Sequence, residues 1–132
     1  TRYYIDGSRC HWNVCIRKSK IMEQYLQYIF WVLAAFFNAV CDAIENENYF
    51  ESIFKKLPRQ FWYKRDSWRY AMKVLGWKAD AWHISKSLMI ICIIATVAFY
   101  QPIFRPWLNF IVLGVGWNLS FTLFYHGLFK IR

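Results

Sequence analysis

Residues 81–125 read AWHISKSLMIICIIATVAFYQPIFRPWLNFIVLGVGWNLSFTLFY, two apolar runs that meet at the stretch QPIFRPW, which contains two prolines. The runs, 81–101 and 106–125, are each close to the ~20 residues that an α-helix needs to cross a hydrocarbon core of ~30 Å. Lipid offers the backbone no hydrogen-bond partner, so a spanning segment of this kind is helical. Because the prolines favour a turn, we expect the two helices to form an antiparallel hairpin.

A further apolar run lies upstream, over residues 25–43 (YLQYIFWVLAAFFNAVCDA). It is too long for the apolar region of a signal peptide, and it lacks a cleavage site of small residues followed by a polar mature domain. We therefore predict a retained helix. Together the runs predict an all-α integral membrane protein with three transmembrane helices.

The composition supports a membrane rather than an aqueous environment. Of the 132 residues, 58% are hydrophobic and 22% aromatic, and the formal net charge is +9. A soluble domain of this size could not easily bury so many rings, whereas bilayer interfaces favour Trp and Tyr. Basic, aromatic flanks suit an anionic phospholipid surface. Nucleic acid is the other partner that such charge suggests, but the length of the apolar runs favours the lipid bilayer and no nucleic acid.

The segment that precedes the first run has a different character. Residues 1–21 show no sustained hydrophobic period, and Cys, His, Trp and Arg residues are scattered along them. Met22 follows directly. The segment is either a short folded or interfacial tail or an extension without structure that precedes a natural start at Met22. We favour the second interpretation. The predicted organisation is an irregular leader over 1–21, followed by a three-helix membrane domain over 22–132.

The loop between the first and second spans, at about residues 45–80, is basic and aromatic. NYFESIFKKL (48–57) places its aromatic and aliphatic residues on one helical face, opposite Glu51, Lys55 and Lys56. Such segments lie in the headgroup plane as short interfacial helices, with cations towards phosphates. The predicted lipid-headgroup contacts are Lys55, Lys56, Arg59, Lys64, Arg65 and Arg69. The alternative is a cap that packs on the helix bundle.

The distribution of Lys and Arg predicts the orientation. The central loop and the C-terminal tail carry ten cations, against six on the opposite side, or one if the chain starts at Met22. The positive-inside rule therefore places the central loop and the C-terminus in the cytoplasm of a multi-pass cell-membrane protein.

Polar residues inside the predicted spans are candidates for packing or for a site. Asn38, Lys86, Asn118 and Thr122 are expected to make interhelical polar contacts. Asp42, His83 and His126 all lie towards the cytoplasmic ends, and as a carboxylate and two imidazoles they are candidates for a metal site or for acid–base catalysis on a lipid headgroup. No local catalytic or metal motif accompanies them. Packing is the favoured interpretation, and no cofactor is predicted.

Four stretches, FFNAVCDAI, FWYKRDSW, DAWHISKSLMI and WNLSFTLFY, resemble a family of small uncharacterised integral membrane proteins from Bacteroidetes bacteria and their phages. The resemblance runs from about Met22 to Phe129, in agreement with a start at Met22. It implies a multi-span membrane protein with no established activity. Family members often carry histidines shortly after the aspartate that matches Asp42, but here that stretch reads ENENYF, which weakens a metal site.

The sequence therefore favours a small non-enzymatic membrane protein that binds anionic lipid or a partner membrane protein, with a homo-oligomer as a further option. The alternative from another class is a membrane-embedded, metal-dependent enzyme that acts on lipid headgroups through Asp42, His83 and His126. A homo-oligomeric pore is disfavoured because the spans lack the continuous polar stripe of a wet lumen.

Overall fold

The computed structural model describes the backbone of residues 7–70, 72–74 and 77–131, and the side chains of residues 22, 25–67 and 80–131. The described chain is all-helical apart from one short hairpin. Its α-helices are α1 (Gly7–Ala43), α2 (Asn48–Glu51), α3 (Arg59–Trp62), α4 (Lys64–Tyr70), α5 (Ala81–Ala98) and α6 (Pro106–Thr122). A 3-10 turn (Ile53–Lys56) follows α2, a π-helical segment (Leu123–Phe129) continues α6, and the strands β1 (Met72–Val74) and β2 (Trp77–Ala79) pair antiparallel.

Three helical segments are long and apolar enough to cross a membrane, which confirms the predicted fold class. They are Tyr25–Ala43, Ala81–Ala98 and Pro106–Phe129. Asp80 begins the second, because its Oδ1 accepts a hydrogen bond from the backbone N–H of His83 at 2.8 Å. Pro106 begins the third at the first helical position, where a missing N–H removes no intrahelical bond.

The backbone of residues 7–21 is helical, in contrast to the irregular leader that was predicted. α1 begins at Gly7 and runs without interruption into the first span, so an irregular backbone over 7–21 is wrong. Residues 1–6 lie outside the described residues. No proline interrupts the sequence between Gly7 and Ala43, and adding residues to an existing helix is far easier than nucleating one. The first span therefore extends upstream despite the absence of an apolar period.

The bundle is built around α1. Both α5 and α6 pack on α1, and they run in opposite directions along it, as the predicted antiparallel hairpin requires. The two helices of the hairpin contact α1 far more than they contact each other. Ala35, Ala39 and Ala43 are fully buried along α1, and such small side chains allow neighbouring segments to approach closely. The aromatic pair Trp31 and Trp117, with ring centroids 5.0 Å apart, joins α1 to α6.

The loop between the first two spans folds as a cap on one end of the bundle. The predicted single helical face over 48–57 is wrong, because Ser52 adopts an extended conformation and ends α2. Its Oγ donates to the carbonyl oxygen of Tyr49 and accepts from the N–H of Phe54, which starts the 3-10 turn. As a result Tyr49 and Phe54 are buried in the core, while Phe50 stays 49% exposed.

The C-terminal tail lies against this cap. The N–H of Ile131 donates to the carbonyl oxygen of Glu51 at 2.7 Å, and Lys130 pairs with Ser52 in an isolated β-bridge. The Lys130 Nζ atom lies 3.0 Å from the Glu51 carboxylate. This hydrogen bond raises the pKa of Lys130. The central loop and the C-terminus are therefore at the same end of the bundle, which we call the cap end.

Candidate functional site

The three residues proposed for a metal or catalytic site do not form one cluster. His83 contacts Asp80: its Nδ1 lies 2.9 Å from Asp80 Oδ2. His126 is exposed on the π-helical segment, with its ring against Tyr125. Asp42 is partly exposed at the end of α1. Among the described residues no group of three or more His, Cys, Asp or Glu side chains is placed to hold a metal ion.

Asp80 is a buried carboxylate that was not among the predicted site residues. It is 1% exposed, and its Oδ2 also accepts a hydrogen bond from Ser67 Oγ at 3.1 Å. It therefore joins α4 to the start of α5 and holds the His83 imidazole at the same time. The spacing D-x-x-H at a helix start is the sequence signal that points to this pair, since it places the cap and the ring one turn apart.

The four residues expected between helices behave differently from one another. Lys86 interacts electrostatically with Asp42 of α1, across the α1–α5 contact. Asn118 donates from Nδ2 to the carbonyl oxygen of Gly114 at 2.9 Å, within its own helix, and its side chain is exposed. Asn38 is partly buried and Thr122 is exposed, and neither makes a side-chain hydrogen bond with another described residue. The interhelical role of these four residues therefore stays a prediction.

Interhelical hydrogen bonds instead concentrate at the end of the bundle opposite the cap, in what we call the turn network. The Gln27 amide binds the backbone of Gln101 twice, donating to its carbonyl oxygen and accepting from its N–H, both at 3.0 Å. Asn109 accepts from the Tyr28 hydroxyl at 2.8 Å. Gln27 and Asn109 are fully buried. These hydrogen bonds cross between α1 and the other two helices, so the network holds the α5–α6 turn against α1.

One feature of the described residues that is able to receive a ligand is an apolar cavity at the cap end, with a volume of about 260 Å³. We call it the aromatic cavity. Helices α1 and α5 form one side and the cap forms the other. Its walls are Phe36, Phe37, Val40, Phe54, Phe61, Trp62, Ala81, Ile84, Ser85 and Phe129. Because Phe36 and Ile84 belong to membrane spans, the cavity extends into the depth that hydrocarbon occupies.

The cations predicted to contact headgroups fall into two groups. Arg59 pairs with Asp66 at 3.1 Å and stacks over the rings of Phe50 and Tyr63. Lys64 pairs with Glu45, and its Nζ lies 4.0 Å from the centroid of the Trp82 ring. Lys55, Lys56 and Arg65 are exposed and make no ion pair with any described side chain. The side chain of Arg69 lies outside the described residues.

Lys55 and Lys56 are placed beside the aromatic cavity by the chain itself. Both follow Phe54, which lines the cavity, and the 3-10 turn that contains all of them is fixed by Ser52. Sequence analysis identified the cations and the rings but not the cavity, because the cavity exists only where the cap meets α1 and α5.

Comparison with protein-family models, with curated proteins and with solved structures gives no match. The resemblance to the Bacteroidetes and phage membrane proteins therefore stays a prediction.

Proposed function

We propose that this multi-pass membrane protein binds an anionic phospholipid at its cap end, with an acyl chain in the aromatic cavity and the headgroup at Lys55 and Lys56. The observation that supports the proposal is that the turn whose Phe54 lines the cavity also carries Lys55 and Lys56, two exposed cations with no acidic partner among the described side chains. A lipid is a ligand that offers both an apolar chain and an anionic group.

The two parts of such a lipid contribute differently to binding. Inside a bilayer an acyl chain gains little from the hydrophobic effect, since the surrounding tails are equally apolar. The cavity therefore contributes packing contacts. An acyl chain that fills it touches the aromatic walls, and these contacts are lost when the cavity is empty. Selectivity comes from charge, because each Lys or Arg near the surface contributes about 1 kcal/mol towards anionic lipid.

We also propose that the cap end faces the cytoplasm. The cap and the tail carry ten of the Lys and Arg residues, and the contact between Lys130 and Glu51 keeps the two segments together. A reporter fused after Arg132 should then be cytoplasmic. A cysteine introduced at Ile103, in the turn between α5 and α6, should react with an impermeant thiol reagent added outside, and the opposite labelling pattern would reverse the orientation.

The lipid proposal is tested by native mass spectrometry of protein released from vesicles that contain equal amounts of phosphatidylglycerol and phosphatidylcholine. The double variant Lys55→Gln/Lys56→Gln should lose the preference for phosphatidylglycerol by on the order of 10-fold, the effect of two surface cations. The matched control, Lys18→Gln/Lys20→Gln, removes the same charge from the opposite end of α1 and should keep the preference.

A second pair of variants tests the cavity. Ile84→Trp places a large ring in the cavity and should reduce retention of both lipids. Its control is Ile91→Trp, two turns further along the same exposed face of α5 and outside the cavity, which should retain lipid as the unchanged protein does. Equal lipid retention in the two Trp variants would refute occupation of the cavity, and an unchanged preference in the double Lys variant would refute the headgroup site.

A specific contact favours one alternative function. An imidazole whose Nδ1 is hydrogen-bonded to a buried carboxylate, as in the pair of His83 and Asp80, is the arrangement that orients a general base. A membrane-embedded enzyme would then use this pair in place of the predicted trio. Loss of a lipid-modifying activity in His83→Ala, with bound lipid retained, would move the function to this class.

A further inference from the structure

The face of α6 that points away from α1 carries a polar group in the middle of the membrane. Asn109 marks the inner face, since it is fully buried and bonded to Tyr28 of α1. Asn118 lies about two and a half helical turns further along, which places it on the opposite face. It is exposed, and it lies near the centre of the span Pro106–Phe129.

The amide of Asn118 is incompletely satisfied within the described chain. One N–H donates to Gly114 in the preceding turn, and no described residue donates to Oδ1 or accepts from the second N–H. Hydrocarbon supplies neither a donor nor an acceptor, so a polar group left there without partners is unfavourable. In a bilayer this amide needs a partner from beyond the described residues.

The surroundings of Asn118 allow a second helix to come close. We call the face the outward stripe. Its members are Trp107, Ile111, Gly114, Asn118 and Thr122, spaced three or four residues apart. A Cβ added at Gly114 would have nothing within 4 Å, so the backbone is open there. Small residues at such positions permit close contact between transmembrane helices.

We propose that the outward stripe is the interface between two copies of this chain, with α6 packed on α6 and Asn118 hydrogen-bonded to the partner's Asn118 across a two-fold axis. We expect the partner to be a second copy because an amide contains one donor group and one acceptor group. Two such amides are therefore complementary to each other. A two-fold interface brings the same residue of each copy together. The aromatic cavity lies elsewhere, between α1, α5 and the cap, so pairing and lipid binding are independent.

The experiment uses two differently tagged full-length copies expressed together and recovered in mild detergent. Asn118→Leu should reduce co-purification of the second copy by about 3- to 30-fold, the range expected for loss of an interhelical amide pair in a membrane. Asn118→Gln should restore pairing, because it keeps the amide. Asn118→Leu should also leave the monomer stable, since it replaces a lipid-facing polar group with an apolar one.

Cysteine cross-linking in membranes locates the interface, in a background where Cys10, Cys15, Cys41 and Cys92 are replaced by alanine. Gly114→Cys should form a disulfide between copies at least several-fold faster than Leu119→Cys, which is 67% exposed but lies about a quarter turn away from Asn118. Recovery of one copy only, equal pairing in Asn118→Leu, or equal cross-linking at the two positions would overturn the proposal. Because lipid retention is measured separately, any of these results leaves the lipid site untouched.

Discussion

Replacing Gln27 by methionine tests whether the turn network holds the bundle together. The side chain keeps its length and volume but loses both hydrogen bonds to the backbone of Gln101. Each interhelical bond in a membrane protein contributes about 0.6 kcal/mol on average and about 1.7 at most. Gln101 is partly buried, so water replaces the two lost bonds to its backbone only in part. We expect the free energy of unfolding to fall by about 2 kcal/mol.

The assay is reversible unfolding of the purified protein in mixed detergent micelles, followed by Trp fluorescence. The control is Gln60→Met, the same substitution at an exposed position of α3, for which we expect a change within about 0.5 kcal/mol. If Gln27→Met unfolds with the same free energy as Gln60→Met, the turn network does not stabilise the packing of α1 against the α5–α6 turn.

Three further predictions concern the cap end. Asp80→Ala should lower the free energy of unfolding by about 2 kcal/mol in the same assay, since it removes the helix cap and the carboxylate that bonds Ser67 and the His83 ring, and Asp80→Asn should recover part of the loss. Burial raises the pKa of the Tyr49 phenol, so the folded state loses stability as the pH rises from about 10 through that raised pKa. Tyr49→Phe should flatten this decline in stability at alkaline pH. An unchanged decline in the variant would show that other groups cause it. Asp42→Asn should change the free energy of unfolding by less than about 0.5 kcal/mol and leave bound lipid unaltered, because the Asp42 side chain is partly exposed and has no hydrogen bond to another described residue; loss of a bound metal in this variant would restore the site first proposed around it.

The spans were predictable because the bilayer dictates their length and composition. The runs 25–43 and 81–101 match the first two membrane spans almost residue for residue, and the run 106–125 matches all but the end of the third. The helix cap at Asp80 is a local interaction between neighbouring residues, of the kind that a sequence can indicate.

What could not be predicted depends on contacts between distant residues. Gln27 and Gln101 are separated by 74 positions, and nothing in either neighbourhood indicates that one amide binds the other backbone. The packing of both helices on α1 is decided by such contacts, whereas the short connection between α5 and α6 indicates only that the two helices run in opposite directions. The aromatic cavity follows from the break at Ser52, a single extended residue inside an otherwise helical pattern.

The central claim is that a phospholipid chain occupies the aromatic cavity, and photo-labelling tests it most directly. Phosphatidylglycerol with a diazirine in its acyl chain is incorporated into vesicles with the protein, irradiated, and the labelled peptides are mapped by mass spectrometry. The account predicts concentrated labelling on Phe54, Phe61 and Trp62, cap residues whose rings line the cavity, and its reduction in Ile84→Trp. Labelling confined to the exposed faces of α5 and α6, with these rings unmodified and no response to Ile84→Trp, would contradict it.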